Sequence, residues 1–307
     1  MRVLVVGLGV QGYKRRKHAG ADYVASVDPV NPEADYKSVE DVPLGDYDAV
    51  MACIPDEPKV ELLRYFLDNG KSVLVEKPLW AARDEDILDL ERRARAKGVV
   101  CYTAYNHRFE PHFVAMKELI ETGALGQVYS CRMFYGNGTA RLVRDSAWRD
   151  QGGGVLPDLG CHLLDTCHYW FGETVKTGWR VISSHGFENR SPDHVVIGTD
   201  AVLPRIEHEM TLLMWRNHFT CDILAEKGSA HIESLCKWGP STFAHRTRIL
   251  PSGRPPERSV ILVQEDPTWA AEYAHFKKLV EGGATTDLSH DLWLQTTLRH
   301  LTDDAVK

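Results

Sequence analysis

The sequence predicts an α/β protein in two parts: an N-terminal Rossmann-type, doubly wound parallel sheet, followed by an α+β part with a large mixed or antiparallel sheet. Three observations carry this reading. Short apolar runs alternate with helical stretches through the first hundred residues. A glycine-rich turn joins the first run to the first helix. Consecutive strand-like segments with short connections fill the later half.

Taken in order, Val3–Val6 is a short apolar run, and a helical stretch follows from about Val10 to Ala19. Tyr23–Val27 is a second run ending at Asp28, and Ala49–Ile54 a third. Val60–Leu67 has amphipathic helical spacing and stops at Asn69-Gly70. Ser72–Val75 is a fourth run, Asp84–Lys97 a charged helix ended by Gly98, and Val99–Thr103 a fifth run. The pattern reads as β-α-β throughout, which demands parallel strands and right-handed crossovers.

The rhythm changes near Tyr105, so residues 1–104 are expected to form one domain and 105–307 a second. A helix over Pro111–Thr122 precedes a strand over Gln127–Phe134. Residues 136–154 read as a polar, Gly-rich loop, and Pro157–Phe171 as a helix. Strand-like segments follow at Lys176–Ser183, His194–Val202, Arg205–Trp215, His218–Ala225, Ala230–Ser234 and Ser259–Val263. Two helices close the chain, about Trp269–Glu281 and His290–Asp303.

Bulk composition narrows the function classes. The 307 residues carry a net charge of −7, which disfavours a nucleic-acid partner because phosphate backbones need Lys and Arg to neutralise them. The basic cluster Lys14-Arg15-Arg16-Lys17 reads as a solvated helix face. No apolar run approaches the roughly 18 residues needed to cross a bilayer. The N-terminus lacks the pattern of a secretory signal. Seven scattered cysteines without a CxxC pair suggest neither disulfides nor a zinc site. These features give the expectation of a cytoplasmic protein without a membrane partner.

Gly7-Leu8-Gly9-Val10-Gln11-Gly12 is the G-x-G-x-x-G turn of dinucleotide-binding folds, placed between a strand and a helix. Gly7 permits the tight turn, Gly9 lets backbone approach a pyrophosphate, and Gly12 lets helix and sheet pack closely. The helix N-terminus then faces the phosphates with free N–H groups. Asp28 ends the next strand, where a carboxylate accepts hydrogen bonds from a ribose and repels a 2′-phosphate. No Arg or Lys follows it in Pro29-Val30-Asn31-Pro32, so NAD is favoured over NADP.

Glu76-Lys77-Pro78 follows the fourth parallel strand, at the carboxyl edge where ligands of open α/β sheets gather. In the second part, Gly152-Gly153-Gly154 leads into a helix carrying Asp158 and His162, four apart on one face, with Asp165 nearby. The glycines suggest close approach of backbone to a ligand. An Asp and a His together can handle a proton near neutral pH. A metal set of Asp158, His162, Asp165 and His168 fits less well, because His168 lies about 60° further round the helix; no metal is expected. Tyr105, Asn106, His107, Arg108, Trp148 and Arg149 are candidate substrate contacts: Tyr and Trp faces suit sugar rings, and Arg suits carboxylate or phosphate.

Taken together, these segments resemble the glucose–fructose oxidoreductase/inositol dehydrogenase/MocA (Gfo/Idh/MocA) family over nearly the whole chain. The resemblance rests on Gly7–Gly12, Ile54-Pro55, Gly70 through Pro78, Asn106-x-Arg108-Phe109, Gly123-x-Leu125-Gly126, Gly152–Asp158, Gly160-x-His162-x-x-Asp165 and Glu226-Lys227-Gly228-Ser229. It implies an NAD-dependent oxidoreductase acting on a sugar, cyclitol or sugar derivative. Gly7, Gly9, Val10, Gln11, Gly12, Asp28, Ile54, Pro55, Glu76 and Lys77 would hold the cofactor. Lys77, Asp158 and His162 would be catalytic, and with Asn106, Arg108 and Trp148 would contact substrate. The sequence leaves open whether Lys77 or His162 is the general base. The Lys–Pro bond is commonly cis in that family, as only proline allows cheaply. This chain departs from the pattern with Ile54 for the usual Thr before Pro55, and with Lys59 for a usual His. The antiparallel sheet mediates oligomers in relatives, so a homodimer or homotetramer is expected. An NAD-using glycosidase and a non-catalytic NAD-binding regulator are the alternatives on the same fold.

Overall fold

A computed structural model describes residues 1–146, 149–199 and 203–306. The chain forms two compact units. The first joins Met1–Asn106 to Thr268–Thr296, and the second joins His107–Pro267 to Thr297–Lys307. Assigning the whole of 105–307 to one domain therefore differs from the structure, which returns the segment 268–296 to the N-terminal unit.

In the first unit, β1 (Val3–Val6), β2 (Tyr23–Val27), β3 (Ala49–Ala52), β4 (Ser72–Glu76) and β5 (Cys101–Ala104) form a parallel sheet in the order β2-β1-β3-β4-β5. The helices are α1 (Val10–Ala19), α2 (Asp56–Asp68) and α3 (Asp84–Lys97), joined by α7 (Thr268–Glu281) and the start of α8 (Ser289–Ala305). The expected helix-for-every-crossover pattern fails once. Between β2 and β3 the chain makes only two 3₁₀ turns, Val39–Asp41 and Leu44–Asp46.

The β2–β3 connection supplies Val39, Val42 and Tyr47 to the face shared with α2 and α3, and α7 returns to the opposite face. Leu4, Val6, Val50, Ala52, Val73 and Val75 pack on one sheet face against Leu63 and Phe66 of α2 and Ile87 and Leu90 of α3. Val3, Val5, Ala49, Met51 and Leu74 point to the other face, where α1 supplies Ala19 and α7 supplies Tyr273 and Phe276. Without α7 this second apolar face would be only partly covered. Phe276 is fully buried, a gain of about 2–3 kcal/mol for that side chain alone.

A buried ion pair fixes α7 in place. Arg15, expected on a solvated helix face, is 1% exposed. Its Nε donates to Glu76 Oε1 at 2.7 Å and its Nη1 to Glu272 Oε2 at 2.7 Å, while Trp269 covers the guanidinium at 4.3 Å. Burial works against its charge, but Glu272 and Glu76 more than offset this and hold the guanidinium pKa above its ordinary value.

The second unit is built on an eight-stranded mixed sheet. Its strands are β6 (Val128–Gly136), β7 (Trp179–His185), β8 (His194–Thr199), β9 (Arg205–Thr211), β10 (His218–Ala225), β11 (Gly228–Glu233), β12 (Ser241–Thr247) and β13 (Glu257–Leu262). Their order is β13-β12-β11-β10-β6-β9-β8-β7; β6 and β9 pair parallel and all other neighbours antiparallel. β12 was not expected; its buried positions are only the small Ser241 and Ala244. Along β10, Phe219, Cys221, Ile223 and Ala225 are buried and alternate with Asp222 and Leu224 on the outer face. α4 (Pro111–Glu121) and α6 (Cys161–Phe171) pack together, Trp170 Nε1 donating to Phe113 O at 3.0 Å. A short helix, α5 (Ala140–Arg144), interrupts the segment expected to be loop.

Replacing Arg15 by Ala should lower the unfolding free energy by about 3–5 kcal/mol in urea denaturation, because it leaves Glu272 charged in the interior. A loss below about 1 kcal/mol would show that the ion pair does not hold α7 to the sheet.

Candidate active site

In the first unit, the strand order reverses between β1 and β3, and the glycine turn sits at the carboxyl end of β1. Gly7 has φ +86°, and a Cβ there would lie 2.2 Å from Cys53 O. A Cβ on Gly12 would lie 2.0 Å from Gly7 O, so α1 can pack this closely only with glycine. A Cβ on Gly9, by contrast, would project into open space. Gly9 gives α1 no side-chain cap. The first turn has no acidic residue, and the last turn carries Arg16, Lys17 and His18. Val10 and Gln11 lie exposed at this helix start. The donor set and the space fit a dinucleotide diphosphate.

Asp28 is held by backbone. Its Oδ2 accepts from Leu8 N at 2.7 Å, and its Oδ1 from Val30 N at 2.9 Å and Asn31 N at 2.8 Å. Burial opposes its charge, yet the N–H groups of Asn31, Leu8 and Val30 prevail and hold its carboxyl below the ordinary range. Asn31 Nδ2 in turn donates to Leu8 O at 2.7 Å, locking the strand end to the glycine turn.

Lys77 follows β4, is half-buried, and its bond to Pro78 is cis. The segment is held from two sides. Lys59, 2% exposed, donates from Nζ to Pro78 O at 3.1 Å and pairs with Asp56. Gln295 Oε1 accepts from Ala81 N at 2.6 Å. Lys59 thus has a positional role that its departure from the family pattern did not reveal. Ile54 is half-buried and Pro55 exposed, Pro55 preceding the first residue of α2. Glu76, expected beside the cofactor, is instead committed to Arg15, because the guanidinium needs a partner where no water reaches it. Asn106, expected at the substrate, is 9% exposed and donates from Nδ2 to Thr268 Oγ1 at 2.9 Å. Tyr105 likewise donates to Asp291 Oδ1 at 2.9 Å.

In the second unit, the helix expected from Pro157 opens as a π-helical turn, Leu156–Gly160, before α6 begins. Such turns recur at functional sites. Asp158 lies in this turn with 38% of its side chain exposed, and His162 in the first turn of α6 is 8% exposed. Two of the glycines before them are required by the chain's own packing. A Cβ on Gly154 would meet Pro192 O at 2.1 Å, and one on Gly153 would meet Thr302 Oγ1 at 2.4 Å.

Around His162 the structure gathers rings that sequence reasoning did not connect. The His107 imidazole stacks on it with centroids 4.0 Å apart and planes 19° apart. Tyr135, at the end of β6 and 5% exposed, lies 5.6 Å from the His107 ring and 6.1 Å from the His162 ring. Burial, then the charge of Asp158, pushes the Tyr135 phenol well above its ordinary pKa. Lys237 donates to its hydroxyl at 3.3 Å, and Trp238 lies 5.6 Å away, centroid to centroid. Tyr135 fell just beyond the strand as read from sequence.

Arg108 donates from Nε to both oxygens of Asp165, at 3.0 and 3.1 Å, and Asp165 is 1% exposed. Arg149 Nη2 lies 3.7 Å from Asp158 Oδ2. Trp148 lies outside the described residues. His168 pairs with Glu173 at 3.4 Å. Among the described residues no group of His, Cys, Asp and Glu is arranged to hold a metal ion, and no helix is long and apolar enough to cross a membrane.

Comparison with known proteins adds the following. Residues 1–105 match the family model described as oxidoreductase family, NAD-binding Rossmann fold, and residues 113–231 match the GFO/IDH/MocA C-terminal domain. The scyllo-inositol 2-dehydrogenase (NAD(+)) of Bacillus subtilis is 26% identical over 61% of this chain and 57% of its own length. The levoglucosan dehydrogenase of Pseudarthrobacter phenanthrenivorans is 30% identical over 47% of this chain and 37% of its own. A scyllo-inositol 2-dehydrogenase (NADP(+)) of Bacillus subtilis is 32% identical over 41% and 32%. These matches span between about a third and somewhat over half of the relatives' lengths. Among solved structures, a levoglucosan dehydrogenase in complex with NADH superposes with a TM-score of 0.83 at 19% identity, covering 99% of this chain and 96% of that one. An oxidoreductase from Agrobacterium radiobacter in complex with NAD+, L-tartaric acid and magnesium gives 0.80 at 15% identity, covering 100% and 96%. At these identities the likeness concerns the fold.

Proposed function

The chain belongs to the Gfo/Idh/MocA oxidoreductase family, and from that premise we propose that it is an NAD-dependent dehydrogenase of a sugar, cyclitol or sugar derivative. The observation that carries this reading is the buried His162 imidazole on the helical run that also carries Asp158, in a chain that also keeps an open, amide-lined glycine turn. NAD, when bound, supplies the acceptor for the hydride that leaves the hydroxyl-bearing carbon. His162 takes the hydroxyl proton as the C=O bond forms, and Asp158 orients and favours the resulting imidazolium. Lys77 donates a hydrogen bond to the same oxygen. Named relatives that act on inositols and levoglucosan support a polyhydroxylated substrate. An uncharged one is favoured, because Arg108 is already bound to Asp165 and Arg149 lies against Asp158. The reading keeps a cytoplasmic setting, in which the cysteines remain thiols.

Lys77→Ala should leave NADH binding largely intact and lower turnover by about 10² or more. The measurement is NADH formation with a panel of sugars and cyclitols, and near-wild-type turnover in the variant would remove Lys77 from the mechanism. In the same assay, glycoside cleavage without net NADH would mark a glycosidase. Tight NAD binding with neither activity would mark a regulator.

NAD preference follows from the charged, backbone-held Asp28, although relatives of both cofactor types exist. Asp28→Ala should weaken NADH binding about tenfold and improve NADPH relative to NADH, read by cofactor fluorescence titration. An unchanged NADH/NADPH ratio would take Asp28 out of cofactor choice.

The outer face of the wide sheet carries exposed Tyr129, Ile182 and Leu224, beside the charged row Arg132, Glu207 and Glu209. This face is proposed to join copies of the chain into a dimer or tetramer. Light scattering at micromolar concentration should give two or four times the chain mass, and a monomer would refute it.

A further inference from the structure

His107 is the buried titratable group nearest the proposed chemistry to which the mechanism above gives no role. It lies in the 3₁₀ turn Asn106–Phe109 and is 2% exposed. One face of its imidazole is stacked on His162 at 4.0 Å. Phe113 meets it edge-on at 5.9 Å with planes 86° apart, and Tyr135 lies 5.6 Å away. The turn itself is fixed on both sides of this ring. Arg108 is bound by Asp165, three residues after His162 on the same helix. Glu110 is 2% exposed and accepts from Cys236 N at 3.1 Å and from Cys236 Sγ at 3.0 Å.

We propose that His107 is a positioning residue: its ring holds the His162 imidazole in one orientation and presents a π face to the charge that His162 acquires on accepting the substrate proton. This rests on the dehydrogenase reading and on His162 as the proton acceptor. The physical case has two parts. A ring in parallel contact at 4.0 Å blocks the swing of its neighbour about the Cβ–Cγ bond, so the accepting nitrogen stays aimed, and orientation of this kind is a large part of catalytic rate. Two imidazolium rings at that distance would repel strongly in the protein interior, so the stack carries a single added proton. With that proton on His162, the neutral His107 ring lies under the cation, an arrangement that attracts through the ring quadrupole. Tyr135 completes the enclosure, as its phenol also stays neutral.

The test uses the full-length protein and the best substrate from the sugar panel. His107→Leu removes the π face while keeping an apolar filling, and His107→Phe keeps a flat ring without ionisable nitrogen. The expected result for His107→Leu is a fall in kcat of about tenfold with KM and NADH affinity within about twofold of wild type. Its solvent deuterium isotope effect on kcat should also rise, because the proton step becomes slower. His107→Phe should recover kcat to within about threefold of wild type. If His107→Leu does not fold, His107→Gln, similar in length and without an aromatic ring, takes its place with the same expectation. Wild-type kcat in the Leu or Gln variant would overturn the inference and leave the dehydrogenase reading standing. So would equal losses in the Leu and Phe variants accompanied by a raised KM, which would mark His107 as packing alone. Absence of hydride transfer in the wild type across the panel would overturn the dehydrogenase reading, and this inference with it.

Discussion

One buried guanidinium organises the N-terminal unit. Arg15 belongs to the helix opened by the glycine turn, Glu76 directly precedes Lys77, and Glu272 lies on the helix that returns from far along the chain. Burying these charges is costly, and such clusters are weak sources of net stability. Their effect is on register. The guanidinium donates in a fixed fork, so α1, β4 and α7 can meet in one arrangement only. Trp269 over the same guanidinium adds an attractive contact and closes the site to water. The two elements that carry the glycine turn and the Glu-Lys-Pro segment are thereby referred to a common point.

This constraint also separates what was legible in the sequence from what was not. The turn Gly7–Gly12, the strand before it and the helix after it depend on neighbours within a dozen residues, and the structure shows all three where the pattern placed them. Asp28 is similar, since its partners Leu8, Val30 and Asn31 lie just beyond the ends of the neighbouring strands β1 and β2. Arg15 could not be read in this way. Its partners are 61 and 257 residues away, and within its own helix it is one of four consecutive basic residues. Helical periodicity offers no sign that one member of such a run is buried. The return of α7 was partly foreseeable, because both faces of β1 and β3 are apolar and the early helices are too few to cover them.

In the second unit the same distinction holds. The Asp158–His162 spacing was evident, but the π-helical turn that presents it was not, because π geometry arises from packing around the helix rather than from the residues within it. The glycines were noticed, but not the packing that Gly153 and Gly154 serve. Gly154 meets Pro192, and Gly160 comes within van der Waals reach of Met210, so the bare backbone serves the protein's own close packing. β12 escaped notice because an interior strand with Ser and Ala at its buried positions has no apolar alternation to detect.

The polar groups of the second unit show a consistent division. Arg108 is held by Asp165, Glu110 by Cys236, and Arg149 lies near Asp158, so the charges surrounding the His162 ring are already matched within the chain. A site prepared in this way gains little from an ionic substrate, since binding one would first require breaking a pair. Flat rings beside paired charges favour a ligand with apolar C–H faces and hydroxyl edges, as a sugar or cyclitol has. The burial of His162 acts in the same direction. In the proposed mechanism, an imidazole enclosed by rings, with Asp158 on the turn before it, keeps its reactivity for the one proton that a bound hydroxyl would deliver.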